Sequence, residues 1–212
     1  MRSPPKITKS AAVGRGRPRE FNREEALRQA MELFWVGGFQ GTSISDLSKA
    51  TGLSAPRLYA AFDSKEELFR EAIALYVTTE AGGSWQALED ASCAKLAVRA
   101  LLVETVKLLT HKESPRGCLL VLGDKGIAPV LDSVRAELRF QRNLKRVELT
   151  TRIRRAIDLG EISCTTDAEA LAASVFIFMS GLSIETADGA SDEQLFAAID
   201  DFMARWPIET TG

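Results

Sequence analysis

The chain has 212 residues, 45% hydrophobic and 26% charged, with a formal net charge of −2, enough for one sizeable core or a small domain joined to a larger one. Its three cysteines, Cys93, Cys118 and Cys164, are too few and too scattered for a disulfide framework or a metal-ligand set, and they suit a reducing cytosol. The N-terminus has no apolar signal-peptide core, and the longest uncharged run, Ala170 to Ile184, has 15 residues against the roughly 20 of a membrane helix, so the expectation is a cytoplasmic protein with no membrane partner.

Charge is unevenly spread. Residues 1–20 hold six Lys or Arg against a single acid, Glu20, whereas residues 76–212 hold fifteen basic and twenty acidic residues. The pattern is a basic arm on an acidic body, and its natural partner is a polyanion. Within the arm, GRGRPREF (Gly14 to Phe21) cannot be helix or strand, because its glycines give up backbone order and Pro18 donates no amide.

Beyond the arm nearly every segment reads as helix, so the fold class is all-α. Asn22 caps the first helix, with Glu25 three residues on and Leu27, Ala30, Met31 and Phe34 on one face; Gly37-Gly38 ends it. In GTSISDLSKATGLSAPRLYAAF, Thr42 or Ser43 caps a short helix with Ile44, Leu47 and Ala50 inward. Gly52 stops it, and Ser54 caps a second short helix with Leu58 and Phe62 inward. Two such short helices cannot bury much alone, so they must lean on their neighbours as a helix-turn-helix. Asp63-Ser64 and Glu67 then open a helix with Leu68, Ala72, Leu75 and Tyr76 on one side.

The remainder predicts a larger helical body: a helix over about Lys95 to Leu109, the short apolar piece GCLLVLG, a long helix from about Val130 to Leu159 and two C-terminal helices, about Asp167 to Thr186 and Ser191 to Arg205. The first of these two is apolar almost all round and must be buried on every side, which a second subunit achieves most simply.

The order of basic arm, capped helix and GFQGTSISDLSKATGLSAPRLYAAFDSKEELF closely resembles the tetracycline-repressor (TetR) family of bacterial transcriptional regulators, specifically so over about residues 20–70. The resemblance implies an arm (1–20), a helix-turn-helix DNA-binding domain (21–66) and an effector-binding, dimerising domain (67–212). It also implies a homodimeric repressor on a palindromic double-stranded DNA operator, released by a small molecule, with no cofactor and no enzyme activity. It places Thr42, Tyr59 and Lys65 against phosphates, where hydroxyl, phenol and ammonium groups near helix N-termini add to the positive dipole end. Ser43, Ser54, Ala55 and Arg57 complete the expected DNA face, with Arg57 the candidate guanine reader.

The sequence departs from the family pattern at Pro56, Ser48 and above all Ala60-Ala61, where many members carry side chains that reach DNA. With so little polar reach on the recognition helix, Arg15-Gly16-Arg17-Pro18 resembles an AT-hook core whose Arg15 and Arg17 enter an A·T-rich minor groove; the alternative is a solubilising tail. Cys118, Phe140, Phe176 and Met179 are the expected effector pocket, and Phe178, Leu182, Leu195, Ile199 and Phe202 the expected dimer face. Two further readings stand beside the repressor. One is a nonspecific architectural DNA binder. The other is a regulator sensing oxidants or electrophiles at Cys118, which requires a lowered thiol pKa; Arg116 and Lys125 are nearby in sequence. Lone His111 reads as exposed loop. No nucleophile elbow, phosphate loop or dinucleotide fingerprint is present.

Overall fold

The computed structural model describes residues 22–112, 115–124 and 131–207, and all regular structure among them is helical. Ten helices follow in order: α1 (Arg23–Gly41), α2 (Ile44–Thr51), α3 (Ala55–Phe62), α4 (Lys65–Thr78), α5 (Gly82–Asp90), α6 (Ala94–Thr110), α7 (Leu119–Leu122), α8 (Asp132–Asp158), α9 (Ala168–Ala187) and α10 (Asp192–Ala204). Arg15, Arg17 and Lys125 lie outside the described residues.

Local chemistry sets most of the boundaries. The Asn22 side chain accepts from the amides of Glu24 and Glu25, Ser43 and Asp46 form a reciprocal capping box on α2, and Ser64 accepts from the Glu67 amide on α4. Gly38, at φ 65° and ψ −180°, breaks the helical path inside α1 in a region only glycine adopts readily, so the expected stop at Gly37-Gly38 becomes a kink with a last turn beyond it. Gly52, at φ 67°, turns the chain between α2 and α3. Two features of this region differ from the sequence reading. Ala50 is exposed, and Leu53 in the turn is buried instead. Ser54 occupies the N-cap of α3 but makes no capping bond, so α3 relies on Pro56 in its first turn and on the bonds from the Arg57 and Leu58 amides to the Ser54 carbonyl.

Helices α1 to α4 close on an aromatic cluster. Phe69 meets Phe34 and Phe39 edge-on at centroid separations of 4.9 and 5.3 Å. Helix α4 runs on into the body, where Tyr76 is wholly buried and meets Trp35 edge-on at 4.8 Å. In the body α5 pairs with α6, α9 lies along α8, and α10 packs on α6. Helix α5 is absent from the sequence reading because its glycine-rich start carries no polar cap, and its Trp85 and Leu88 are the only strong apolar signals. At the far end, buried Arg152 faces Glu161 at 3.8 Å while Glu161 accepts from the Ala94 amide at 2.6 Å, fastening the start of α6 to the turn after α8.

Helix α9 departs from the expectation made for its length, and a single chain leaves part of its surface uncovered. It extends past the uncharged run to 20 residues, taking in Glu169 and Glu185, and by length and composition alone is long and apolar enough to cross a membrane. It packs against α6, α8 and α10, yet it is not buried on every side of the protomer: Ile177 is 69% exposed, and Ile184 also faces out.

Candidate nucleic-acid interface and ligand cavity

The two short helices bury one side and present the other. On α3, Leu58 and Phe62 are buried, so Arg57, Tyr59 and Ala60 stand outside with Ser54 at the N-cap, and Ala55 is half-buried. Tyr59 is 45% exposed and lies off the buried face, as its helical position requires. Ser43 is exposed at the start of α2, its hydroxyl 2.6 Å from Asp46, and this bond holds the Asp46 carboxyl below its usual range.

Thr42 is different. It is 3% exposed, and its hydroxyl donates to the carbonyls of Gly38 at 2.9 Å and Leu33 at 3.2 Å. It therefore repairs the carbonyls freed by the Gly38 kink, and Ser43 is the cap of α2. The expected Thr42 hydroxyl contact with phosphate is corrected on this ground. Lys65 is half-buried: its ammonium donates to the Phe39 carbonyl at 2.6 Å and lies 4.2 Å from the Phe39 ring, and burial lowers its pKa. Two ammonium protons remain for an outside partner.

In the body a cavity with about 50 Å³ of free volume lies between α4, α5, α6, α8 and α9. Trp85, Leu108, Leu120, Phe176 and Met179 give it apolar walls, while Arg142 and Lys145, one turn apart on α8, bring in two cations. Three of the expected pocket residues, Cys118, Phe176 and Met179, line it. Phe140 does not: it is 55% exposed and shares an outer stripe of α8 with Leu144 and Val147. Tyr76, Trp85, Arg142 and Lys145 are not among the pocket residues expected from the sequence, because helical spacing on α8 cannot say which of its many cations face inward.

Cys118 accepts a hydrogen bond from the Tyr76 hydroxyl, with oxygen and sulfur 3.3 Å apart. Burial pushes the thiol pKa up despite that bond, two backbone amide bonds and the nearby charge of Arg142; burial raises Tyr76 well above its usual value too. The lowered thiol that the sensing alternative requires is not found in this state. Arg116 is turned toward the Thr186 carbonyl at 3.4 Å, and the cation that acts on the thiol is Arg142.

The segment Gly117–Gly123, containing α7, touches both regions. The Gly117 carbonyl accepts from the Trp35 indole, and the Gly123 carbonyl accepts from the Phe39 amide at 2.9 Å, both donors being on α1. The Cys118 amide donates to Ser183 of α9 at 2.7 Å, and the Leu120 carbonyl accepts from Arg142. One short clip thus joins the helix-turn-helix unit to the cavity wall.

Of the expected dimer residues, Phe178 and Phe202 are half-buried and stack at 4.3 Å, with rings 9° from parallel. Ile199 is wholly buried within the protomer, which removes it from any outer face. Leu182 and Leu195 are nearly so, but they floor an open groove between α9 and α10 beside Phe178 and Gly181.

Short capped helices, a glycine turn and an exposed polar helix face define a helix-turn-helix protein with a small, mostly apolar cavity in its helical body. Residues 26–72 match the family described as bacterial regulatory proteins, tetR family, and residues 94–199 match the Tetracyclin repressor-like, C-terminal domain. The chain belongs to the TetR family of transcriptional regulators. It is 31% identical over 204 residues to the HTH-type transcriptional repressor ComR of Escherichia coli strain K12, covering 94% of this chain and 96% of that one. It is 28% identical over 191 residues to the repressor BdcR of the same strain, covering 90% and 92%. Among solved structures it resembles a cysteine variant of the TetR-family regulator CifR in complex with 26-bp double-strand operator DNA. That likeness has 39% identity and a TM-score of 0.85, covering 91% of this chain and all of that one.

Proposed function

We propose that this regulator is a cytoplasmic repressor that holds a palindromic operator as a homodimer and releases it when a small molecule enters the body. In this reading residues 1–20 form a minor-groove arm, 21–66 read DNA and 67–212 bind effector and dimerise. The observation that carries it is the Gly117–Gly123 clip, which lines the cavity with Cys118 and Leu120 and holds Trp35 and Phe39 of α1. A ligand that repositions the clip moves the base of the helix-turn-helix unit. In a dimer this alters the separation of two recognition helices that must stay about 34–36 Å apart to enter successive major grooves. The groove between α9 and α10, with Ile177, Phe178 and Ile184 on the open side of α9, supports a partner subunit there. Ser43, Ser54, Ala55 and Tyr59 position the backbone, Arg57 reads a base edge, and Lys65 offers its remaining protons to phosphate.

Selection from a random duplex pool tests this. The intact chain is expected to recover a palindrome with A·T-rich flanks, and an Arg15→Ala/Arg17→Ala variant to lose the flanking preference. Indifference to the arm substitutions reduces the arm to a tail. Recovery of no sequence overturns the repressor in favour of a nonspecific architectural binder, whose affinity would fall steeply with salt.

A further inference from the structure

The cavity wall is chemically lopsided. Trp85, Leu108, Phe176 and Met179 make it apolar, and none of the residues lining it is a carboxylate. Its charged groups are Arg142 and Lys145, on the same face of α8. Lys145 is partly neutralised by Glu148 at 2.8 Å and lies 4.6 Å from the Trp85 ring. Arg142 makes a hydrogen bond to the Leu120 carbonyl and has no acidic partner among the described residues, so most of its donors remain available. The net charge presented to the cavity is therefore close to +1. Ser84, 5% exposed, also lines the cavity. A guanidinium without an acidic partner beside an apolar space gains most from an anion that completes its hydrogen bonds.

We propose that the cavity binds a small organic carboxylate: one negative charge on an apolar aromatic or aliphatic body, the carboxylate meeting Arg142 and the body lying against Trp85, Phe176 and Met179. A guanidinium presents paired N–H groups that match a carboxylate in the plane, and the single uncompensated charge fits a monoanion better than a phosphate dianion. The cavity has about 50 Å³ of free volume in this state, so it must widen to take such a ligand. Arg142 also connects ligand to clip, because the guanidinium that would hold the carboxylate is the one bonded to the Leu120 carbonyl. The inference rests on the effector reading above, but binding is measured without DNA, so the two fail separately.

The test is calorimetry on the full chain with charge-matched pairs: 3-phenylpropionate against 3-phenylpropionamide, and octanoate against octanamide. At least one acid is expected to bind ten-fold or more tighter than its amide. Arg142→Met is expected to erase that preference, and Lys145→Met to reduce it less. The melting temperature of each variant establishes that it is folded, and the wild-type acid–amide comparison stands alone if Arg142→Met is not. Equal binding of acid and amide, or a preference that survives in folded Arg142→Met, overturns the proposal, as does failure of both acids to bind. An acid that binds without loosening the operator leaves the carboxylate site standing and removes the effector role.

Discussion

Phe34, Phe39 and Phe69 close the DNA-reading end into a dry aromatic cluster, whereas Trp85, Phe176 and Met179 in the body stand around open space. Both regions are helical and rich in apolar side chains. The difference lies in helix length and crossing. Helices α2 and α3 have only eight residues each, and their Leu47, Leu58 and Phe62 are almost wholly buried against the rest of the unit. Helices α6, α8 and α9, at 17, 27 and 20 residues, line a small cavity that their side chains leave unfilled. A packed unit holds a rigid reading face, and an unfilled one can answer a ligand.

Substitution tests the contrast directly. Phe69→Ala removes a fully buried ring from the cluster and should cost about 3–5 kcal/mol in chemical denaturation. Met179→Ala only widens an existing cavity and should cost about 1 kcal/mol or less. Similar losses at the two sites would mean that the body is packed as tightly as the reading head, and the contrast would fail.

The clip between the regions should show an intermediate effect. Trp35→Phe keeps an aromatic ring against Tyr76 but leaves the Gly117 carbonyl without its indole donor, for an expected loss of about 1 kcal/mol. Hydrogen exchange sharpens the result: the Phe39 amide, bonded to Gly123, should lose protection while amides in α8 keep theirs. Unchanged protection at Phe39 would show that the clip does not act as one piece.

The smallest effect is on the alkaline side. Cys118 and Tyr76 both have raised pKa values in the fold, chiefly through burial. Above the ordinary thiol value of about 8.5, and further above the phenol value of about 10, the unfolded chain holds fewer protons than the folded one. Stability therefore falls as pH rises through that window. A Cys118→Ala/Tyr76→Phe protein should show a shallower decline in melting temperature from pH 8 upward. An equally steep decline would place the alkaline sensitivity elsewhere.

Much of the reading head was legible in the sequence because its determinants are local. Caps at Asn22, Ser43 and Ser64, the stop at Gly52 and the inward pairs Ile44/Leu47 and Leu58/Phe62 act within a turn or two of themselves. The sequence left Thr42 and Ser43 as equal candidates for one cap. The kink at Gly38 separated them by turning the Thr42 hydroxyl inward to carbonyls freed in the preceding helix. Lys65 is similar: its position at the start of a helix was legible, its bond to the Phe39 carbonyl was not.

In the body, the sequence determined that the chain is helical and roughly where its long helices run, since apolar periodicity and terminal residues suffice for that. It could not determine which of eight cations on the long helix face inward, nor that Phe140 faces out while Phe176 faces the cavity, nor that Ile199 is spent inside the protomer. Those outcomes depend on the rotation of each helix about its axis. Rotation is set by contacts between residues far apart in the chain, such as Arg142 with Leu120, Cys118 with Ser183 and Phe178 with Phe202. Local pattern fixes where a helix starts and stops, but only packing against distant segments fixes which way it faces.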